Sequence, residues 1–438
     1  MSDNKNNNFL IQGNILAISS LIVRIIGLLY RIPMRRIMGL EATGLYNYSF
    51  EVYNIALILS SYSLPLALSR LVAARRVKKE HRNSYRLFLC AMAFAVSVGL
   101  LTTCIIFIGA DFIAELAFKS PNVALPLRVL SPTILVFAIM GVFRGFYQGK
   151  NTMIPTAISQ VLEQIVNAVV SIAASYLLIK NFSANDNVAA YGAAGGTLGT
   201  FVGACVGLIF LFFVFIIYKP VLKKQLRSDH TENVESYKSI FKLLIITIAP
   251  IILSQTVYQI SGLIDGALFG NVLNNKTVTV ADSEVLAVLP GQIYTSEDRD
   301  KLWGIYGSYR LLTNVPVAIA TAIGTAMVAT LSADIVKGYY DSIRSKVKTA
   351  IKFNMIIAIP SAVGIGVLAL PINTLLFNDS YRLSARITML GAASVVFFAY
   401  STITTSILQG INKLNIPVIH SAISLGIHIV FVYLLLQF

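Results

Sequence analysis

Long apolar runs broken by short polar stretches make up nearly the whole chain, and their lengths fix its architecture before any single residue does. Eleven runs, near residues 11–37, 45–72, 86–109, 126–147, 153–180, 190–218, 241–269, 303–333, 349–372, 384–409 and 415–437, match or exceed the roughly 20 residues a helix needs to cross a bilayer. The pattern predicts an all-α integral membrane protein with about 11 transmembrane helices. The opening "MSDNKNNNF" lacks the charged start, short apolar core and small-residue cleavage site of a removable signal, so the first helix is expected to be retained.

Composition agrees: 56% of the 438 residues are hydrophobic and 13% charged, far more apolar material than one soluble core requires. The net charge of +15 changes the picture only through its placement. Arg70, Arg75, Arg76, Lys78, Lys79, Arg82 and Arg86 fall between two runs, Lys219, Lys223, Lys224 and Arg227 between two others, and Lys337, Arg344, Lys346 and Lys348 after a third. Basic residues in alternate loops mark cytoplasmic loops rather than a nucleic-acid surface. The N-terminus is therefore expected in the cytoplasm, and the acidic stretch with Asp282, Glu284, Glu297, Asp298 and Asp300 outside. Cys90, Cys104 and Cys205 sit in apolar stretches without disulfide or metal-ligand spacing, and the four histidines are scattered.

An internal repeat organises the runs. "GLYNYSFEVYN" (Gly44–Asn54) matches "GIYGSYRLLTN" (Gly304–Asn314) at an offset of 260, and "QGKNTMIP" (Gln148–Pro155) matches "QGINKLNIP" (Gln409–Pro417) at nearly the same offset. Six helices precede the second copy, so both copies share one orientation, the parallel-repeat plan of transporters that rock around a central cavity. The expected organisation is an N-terminal six-helix lobe over residues 1–218, a basic cytoplasmic linker over 219–240, and a C-terminal lobe over 241–438 with five helices and an outer acidic loop over 271–302. In the sixth helix Gly195, Gly199, Gly203 and Gly207 form a smooth stripe suited to close packing against a neighbour.

Candidate chemistry lies in the charges inside these runs. An arginine near the bilayer centre costs from about 2.5 to well over 10 kcal/mol, so it normally faces water, a partner or an anionic ligand. Arg24 lies 13 residues after Ile11, about 20 Å into its helix. Arg24, Arg31 and Arg35 share one face, while Ile22, Ile25, Ile26 and Leu29 offer lipid-facing alternatives. Arg31, Arg35 and Arg36 also suit an anchor at the outer interface. Arg310 stands about two turns inside the outer boundary, and Arg144 near the inner one. Carboxylates are fewer: Glu51, Glu163, which needs a partner such as an arginine, and Asp265. Glu51, Glu163, Gln164 and Asp265 are supporting or ion-coupling candidates for a coupling cation. The excess of arginine suggests an anionic ligand inside the membrane, since guanidinium groups hold phosphate by bidentate, charge-assisted hydrogen bonds. Arg24, Arg31, Arg310 and Arg144 are thus the substrate-binding candidates. No metal, cofactor or catalytic residue is assigned.

"VRIIGLLYRIPMRRIMG", "FRGFYQGKNTMIPTAISQVLEQIVN" and "YRLLTNVPVAIATAIGTAM" together resemble the flippase branch of the multidrug/oligosaccharidyl-lipid/polysaccharide exporter superfamily, within the stage V sporulation protein B and lipid II flippase group. The resemblance covers nearly the full chain. It implies a MATE-like, V-shaped, alternating-access transporter, expected as a monomer among membrane lipids of the bacterial cytoplasmic membrane. Its implied substrate is a polyprenyl pyrophosphate-linked saccharide, such as a cell-wall precursor. On that likeness Arg24 and Arg310 match arginines that engage the head group, with Arg31 close to a third. The family often has an arginine where Asn167 stands here, and about fourteen helices, so the chain is expected to be truncated from a longer plan. A cation-coupled drug or metabolite exporter of the same fold should carry more carboxylates than arginines in its cavity. A membrane enzyme acting on polyprenyl phosphates would ordinarily need a carboxylate cluster for Mg²⁺. The nearest stretch, "SEDRD" (Ser296–Asp300), is expected to be a solvated outer loop.

Overall fold

The computed structural model describes the backbone of residues 2–437 except residues 230, 232, 233, 412 and 414, and the side chains from residue 15 onward except those five and residues 17, 62, 250, 254, 258, 325, 326, 329, 332, 333, 336 and 337. The side chain of Lys337, three residues of the 219–240 linker, and Asn412 and Leu414 of the second repeat motif therefore lie outside the described residues. Among the described residues the protein is helical almost throughout, with one isolated β-bridge between Thr277 and Ile293. Nine helical stretches there are long and apolar enough to cross a membrane. One, Ile18–Val77, is 60 residues long, enough for two crossings. Taking it as two and adding Ser296–Lys337 recovers the eleven helices expected from the apolar runs.

Helix α1 (Ser2–Leu57) explains the division, because Gly39 inside it has φ 75° and ψ −177°. That region is open essentially to glycine alone, so the chain bends there without leaving the helix on either side. A π-helical turn (Ile58–Tyr62) leads to α2 (Leu64–Val77), where Pro65 occupies the first turn, the position that tolerates a missing N–H. The chain continues through α3 (His81–Ile113), α4 (Ala124–Leu130), α5 (Pro132–Gly149), α6 (Ile154–Asn181) and α7 (Val188–Arg227). Next come α8 (Tyr237–Leu273), α9 (Val280–Leu286), α10 (Ser296–Lys337), α11 (Tyr340–Val367), α12 (Ala369–Phe377), α13 (Arg382–Ala392), α14 (Ser394–Gly410) and α15 (Asn415–Gln437).

Two compact units result, one formed by residues 1–30 and 48–263, the other by 31–47 and 264–438. In the first, α2, α3, α5, α7 and the start of α8 close over Leu64, Leu68, Leu87, Met140, Leu211, Ile240 and Leu244. Phe88 sits among aromatic rings, 4.9 Å from Phe146 and 5.3 Å from Phe215. The glycine stripe of α7 meets α6 as expected: Gly195 lies on the backbone at Ala174 and Ser175, Gly199 on Ser171, and Gly203 on Glu163 and Asn167. Ser171 and Ser175 use that proximity to donate hydrogen bonds to the carbonyls of Gly196 (2.9 Å) and Gly192 (3.1 Å).

In the second unit the sequence repeat becomes a reciprocal contact. Gly44 lies against the carbonyl of Asp300, and Gly304, its counterpart 260 residues later, lies against the carbonyl of Leu40. Each helix thus offers a glycine to the other's backbone at equivalent positions of the repeat. The acidic stretch requires a correction. Ser296–Asp300 is not a solvated loop but the first turns of α10, with Asp298 and Asp300 buried. Thr295 and Asp298 form a reciprocal capping box, in which Thr295 Oγ1 accepts from the Asp298 backbone N–H at 3.2 Å. A polar run at that spacing starts a helix as readily as it makes a loop. Upstream, Tyr294 donates its hydroxyl to Asp282, and burial together with that carboxylate pushes the phenol up to about 12.

Candidate functional site

The second unit gathers its polar side chains where the two repeat helices cross. Arg31, Met34, Arg35, Thr43, Tyr46 and Asn47 of α1 face Gly307, Ser308 and Leu311 of α10 around a cavity of ≈40 Å³. Asn47 packs its amide directly on Gly307, at equivalent positions of the two repeats. A space of this size holds a water or a small ion but is far below the several hundred Å³ of a typical ligand pocket. In this conformation it therefore has no room for a diphosphate.

The arginines beside the cavity divide by partner. Arg35 is buried, 3.5 Å from Asp379 and with its guanidinium 4.2 Å from the centre of the Phe377 ring. Arg36 donates Nε to the Leu376 carbonyl at 2.7 Å and a second N–H to Leu375. Both close the C-terminal end of α12, where unsatisfied carbonyls carry partial negative charge. They are thus tied to that helix end. Arg31 is half-buried and lines the cavity itself.

Arg310 lies one turn further along α10, its guanidinium 5.8 Å from the Tyr306 ring centre. It is within electrostatic reach of Asp265 on α8. Asp265 in turn accepts or shares a 2.6 Å hydrogen bond with His428 Nε2 on α15. The Asp265–His428 contact thus ties α8 to α15 within the second unit. Below them Tyr309 bonds Ser394 at 2.8 Å and packs its ring on Gly391, fixing α10 against α13 and α14.

In the first unit the candidates are arranged differently. Arg144 is buried and donates to Ser159 Oγ at 3.0 Å and Glu163 Oε2 at 2.8 Å. The arginine that Glu163 needed is therefore on α5, and Asn167 instead joins a neutral network with Ser171 (2.9 Å), Thr200 and Tyr30. Gln164, next to Glu163, approaches Gly27 of α1. Arg24 lies one turn before that contact, exposed among Leu21, Ile22 and Ile25. Glu51 rests its carboxylate on Gly262 of α8. Arg24 and Glu51 belong to the first unit, Arg31, Arg310 and Asp265 to the second.

Reading the sequence missed His428. A histidine in "SLGIHIVFVYLLL" is an ionisable group in a membrane span and should have counted as a candidate with a partner to find. Asn47 was missed for a different reason: its importance comes from the helix crossing, which no local pattern contains. Among the described residues no group of three His, Cys, Asp or Glu side chains is placed to hold a metal ion.

A bundle of membrane-crossing helices with an internal parallel repeat and an arginine-lined crossing defines a multi-pass transporter fold. The family comparisons agree. The model of the polysaccharide biosynthesis protein family matches residues 12–336, and the MatE model matches residues 306–434. The chain belongs to the polysaccharide biosynthesis protein family, within the multidrug/oligosaccharidyl-lipid/polysaccharide exporter superfamily. It is 27% identical over 427 residues to the lipid II flippase MurJ of Bacillus subtilis (strain 168), covering 95% of this chain and 75% of that protein. It is 26% identical over 320 residues to stage V sporulation protein B of the same organism, covering 73% of this chain and 57% of that one, so it spans little more than half the latter's length. Among solved structures, the inward-facing conformation of a multidrug resistance MATE family transporter matches with a TM-score of 0.70 at 14% identity, over 96% of this chain and 91% of that one.

Proposed function

We propose that this protein is a flippase that carries a polyprenyl diphosphate-linked saccharide, a peptidoglycan precursor or another polymer unit, outward across the bacterial cytoplasmic membrane. The observation that carries the reading is the concentration of arginine at the helix crossing. Arg31 and Arg35 line the cavity between α1 and α10, and Arg310 stands one turn beyond it on α10. Arg24, Arg31 and Arg310 are the head-group ligands, and Arg144 with Glu163 and Gln164 positions α5 and α6 rather than touching substrate. The protein works as a monomer, with its N-terminus in the cytoplasm, a lobe over residues 1–218, a basic linker over 219–240 and a lobe over 241–438. No bond is made or broken. Binding of the diphosphate neutralises arginine charge, and only its unequal affinity for the two access states moves the lobes. Glu51 and Asp265 are the positions for a coupling cation. The small cavity suits a resting state that must open before a head group enters.

Binding of a polyprenyl diphosphate-linked saccharide to purified protein, wild type against Arg24→Ala and Arg310→Ala, tests the reading. Each truncation removes a charge-assisted contact and should weaken binding by about tenfold or more. Unchanged binding in both variants would return these arginines to structural roles and defeat the proposal.

A further inference from the structure

Residues 274–295, between α8 and α10, form a cap that closes on a small core, and one apolar corner of the cap stays outside that core. Val278, Val285, Leu286 and Tyr294 are buried together with Leu273 and Ile305. Val280, by contrast, is 77% exposed, Leu289 71% and Ile293 66%. Apolar side chains scattered singly over a surface are ordinary, whereas neighbouring ones mark a contact.

The backbone brings these three together. The Val278 N–H donates to the Gln292 carbonyl at 2.7 Å and the Tyr294 N–H to the Lys276 carbonyl at 3.1 Å, so Thr277 and Ile293 stand opposite one another as a non-hydrogen-bonded antiparallel pair. Side chains alternate along such a ribbon. Val278 and Tyr294 enter the core, while Ile293 and the exposed Thr277 share the other face. The Gly291 N–H donates to the Val278 carbonyl at 2.9 Å, and its φ of 91° turns the chain there. Val280, two residues past Val278, and Leu289, two residues before Gly291, therefore leave the ribbon at the same end.

The cap is level with the last turn of α15. Leu436 of α15 and Phe269 of α8 pack on its core, and Lys276 donates to the Gln437 carbonyl. Helix α15 is long and apolar enough to cross a membrane, none of its most apolar stretch is buried, and Phe431, Leu434 and Leu435 stay exposed up to its end. A lipid-facing surface thus runs up to the cap. Glu284, one turn past Val280, and Glu297, at the start of α10, are also exposed. Apolar and charged side chains so close together suit the boundary between headgroups and acyl chains, not the hydrocarbon interior. The carboxylates also disfavour anionic headgroups.

We propose that the cap is an interfacial anchor, its Val280, Leu289 and Ile293 corner seated in the zwitterionic lipid surface beside the end of α15. The anchor fixes the depth of the corner between α8 and α10. It requires only that α8 and α15 cross a membrane, and is independent of what is transported.

The test uses the full chain reconstituted in phosphatidylcholine vesicles, with a tryptophan introduced in turn by Val280→Trp, Leu289→Trp and Ile293→Trp. Trp303 is buried, so wild type supplies the background to subtract. Each introduced tryptophan should be quenched by phosphatidylcholine brominated near the headgroup end of its chains, emit at shorter wavelength than in water and resist iodide in the buffer. Because the three side chains lie outside the core, these variants should unfold in detergent as wild type does. Adding Leu289→Glu and Ile293→Glu to the Val280→Trp variant should remove most of its lipid quenching. Quenching by iodide without quenching by lipid would show a corner that faces water and overturn the anchor. Protection from both quenchers that disappears as the lipid-to-protein ratio rises would place a second copy on this face and overturn it equally.

Discussion

The α5–α6–α7 seam of the first unit and the α1–α10 crossing of the second both bring glycines, hydroxyls and arginine into membrane-crossing helices, yet they differ in how their polar groups are held. In the seam, Arg144, Ser159, Glu163, Asn167, Ser171 and Ser175 bond one another or the backbone, and the glycines of α7 leave no gap between the helices. At the crossing, the glycines also bring backbones together, but Arg31, Arg35 and Asn47 surround a cavity and the Asn47 Nδ2 is buried without a hydrogen-bond partner. In hydrocarbon an unsatisfied polar group is costly. The difference is one of degree, because Thr133 Oγ1, Thr156 Oγ1 and Gln160 Oε1 of α5 and α6 are also buried without a partner, but only the crossing surrounds a cavity with its polar groups. Arg144 is paired within the seam with Ser159 and Glu163, a pairing its sequence context does not announce.

The largest expected effect breaks the closed seam. Arg144→Met leaves the partly buried Glu163 carboxylate without its cation and should destabilise the protein by up to about 3 kcal/mol, read from unfolding in detergent. The double variant Arg144→Met/Glu163→Leu removes both charges and should recover most of that loss, because well-packed apolar groups commonly replace a buried ion pair at little cost. If the double variant keeps lipid binding, Arg144 is confirmed as a positioning residue. Loss of binding in the refolded double variant would move it into the head-group site.

A second pair of substitutions sharpens the contrast with less energy. Gly199→Ala directs its methyl at the backbone of Ser171, which sits within a helix and cannot yield, so a loss of about 1–3 kcal/mol is expected. Gly307→Ala directs its methyl at the Asn47 side chain, whose amide can turn aside into the cavity. Its effect on stability should stay within about 1 kcal/mol. Equal destabilisation by the two would mean that the crossing is packed as tightly as the seam.

What could be read in the sequence follows the same division. The apolar runs gave the helices because bilayer thickness imposes one length on each of them. The glycine stripe of α7 gave its packing face because period and chemistry lie within one helix. The repeat offset of 260 announced a symmetric arrangement, and the reciprocal Gly44 and Gly304 contacts fulfil it. Partners remote in sequence could not be read. Nothing local in "YRIPMRRIMG" says that Arg35 and Arg36 close α12, some 340 residues away. Asp298 was misjudged because acidic residues suit both a solvated loop and a helix start, and only the Thr295 hydroxyl decides between them.

The smallest expected effect lies outside the membrane, in the strap of the first unit that leads from α7 to α8. Arg75 grips Glu235 through two hydrogen bonds of 3.0 and 2.5 Å, and Arg86 donates to the Glu235 carbonyl at 2.7 Å. Asp229 accepts the backbone N–H groups of Arg82 at 2.5 Å and Thr231 at 2.8 Å, and the Thr231 hydroxyl as well. Burial by itself would raise the Asp229 carboxyl, but these donors outweigh it and hold the group below its ordinary value. A carboxyl held lower in the folded than in the unfolded chain stabilises the fold above the unfolded value and loses that contribution as pH falls through the folded one. Asp229→Asn should therefore lower the unfolding temperature slightly at pH 7, with a gap from wild type that narrows on acidification and closes once Asp229 itself is protonated. Taking the difference cancels the titration of Glu235 and the other carboxylates common to both proteins. A gap independent of pH would mean that the strap is held by the shape of its turn and by Arg75 with Glu235, and that the charge of Asp229 adds nothing.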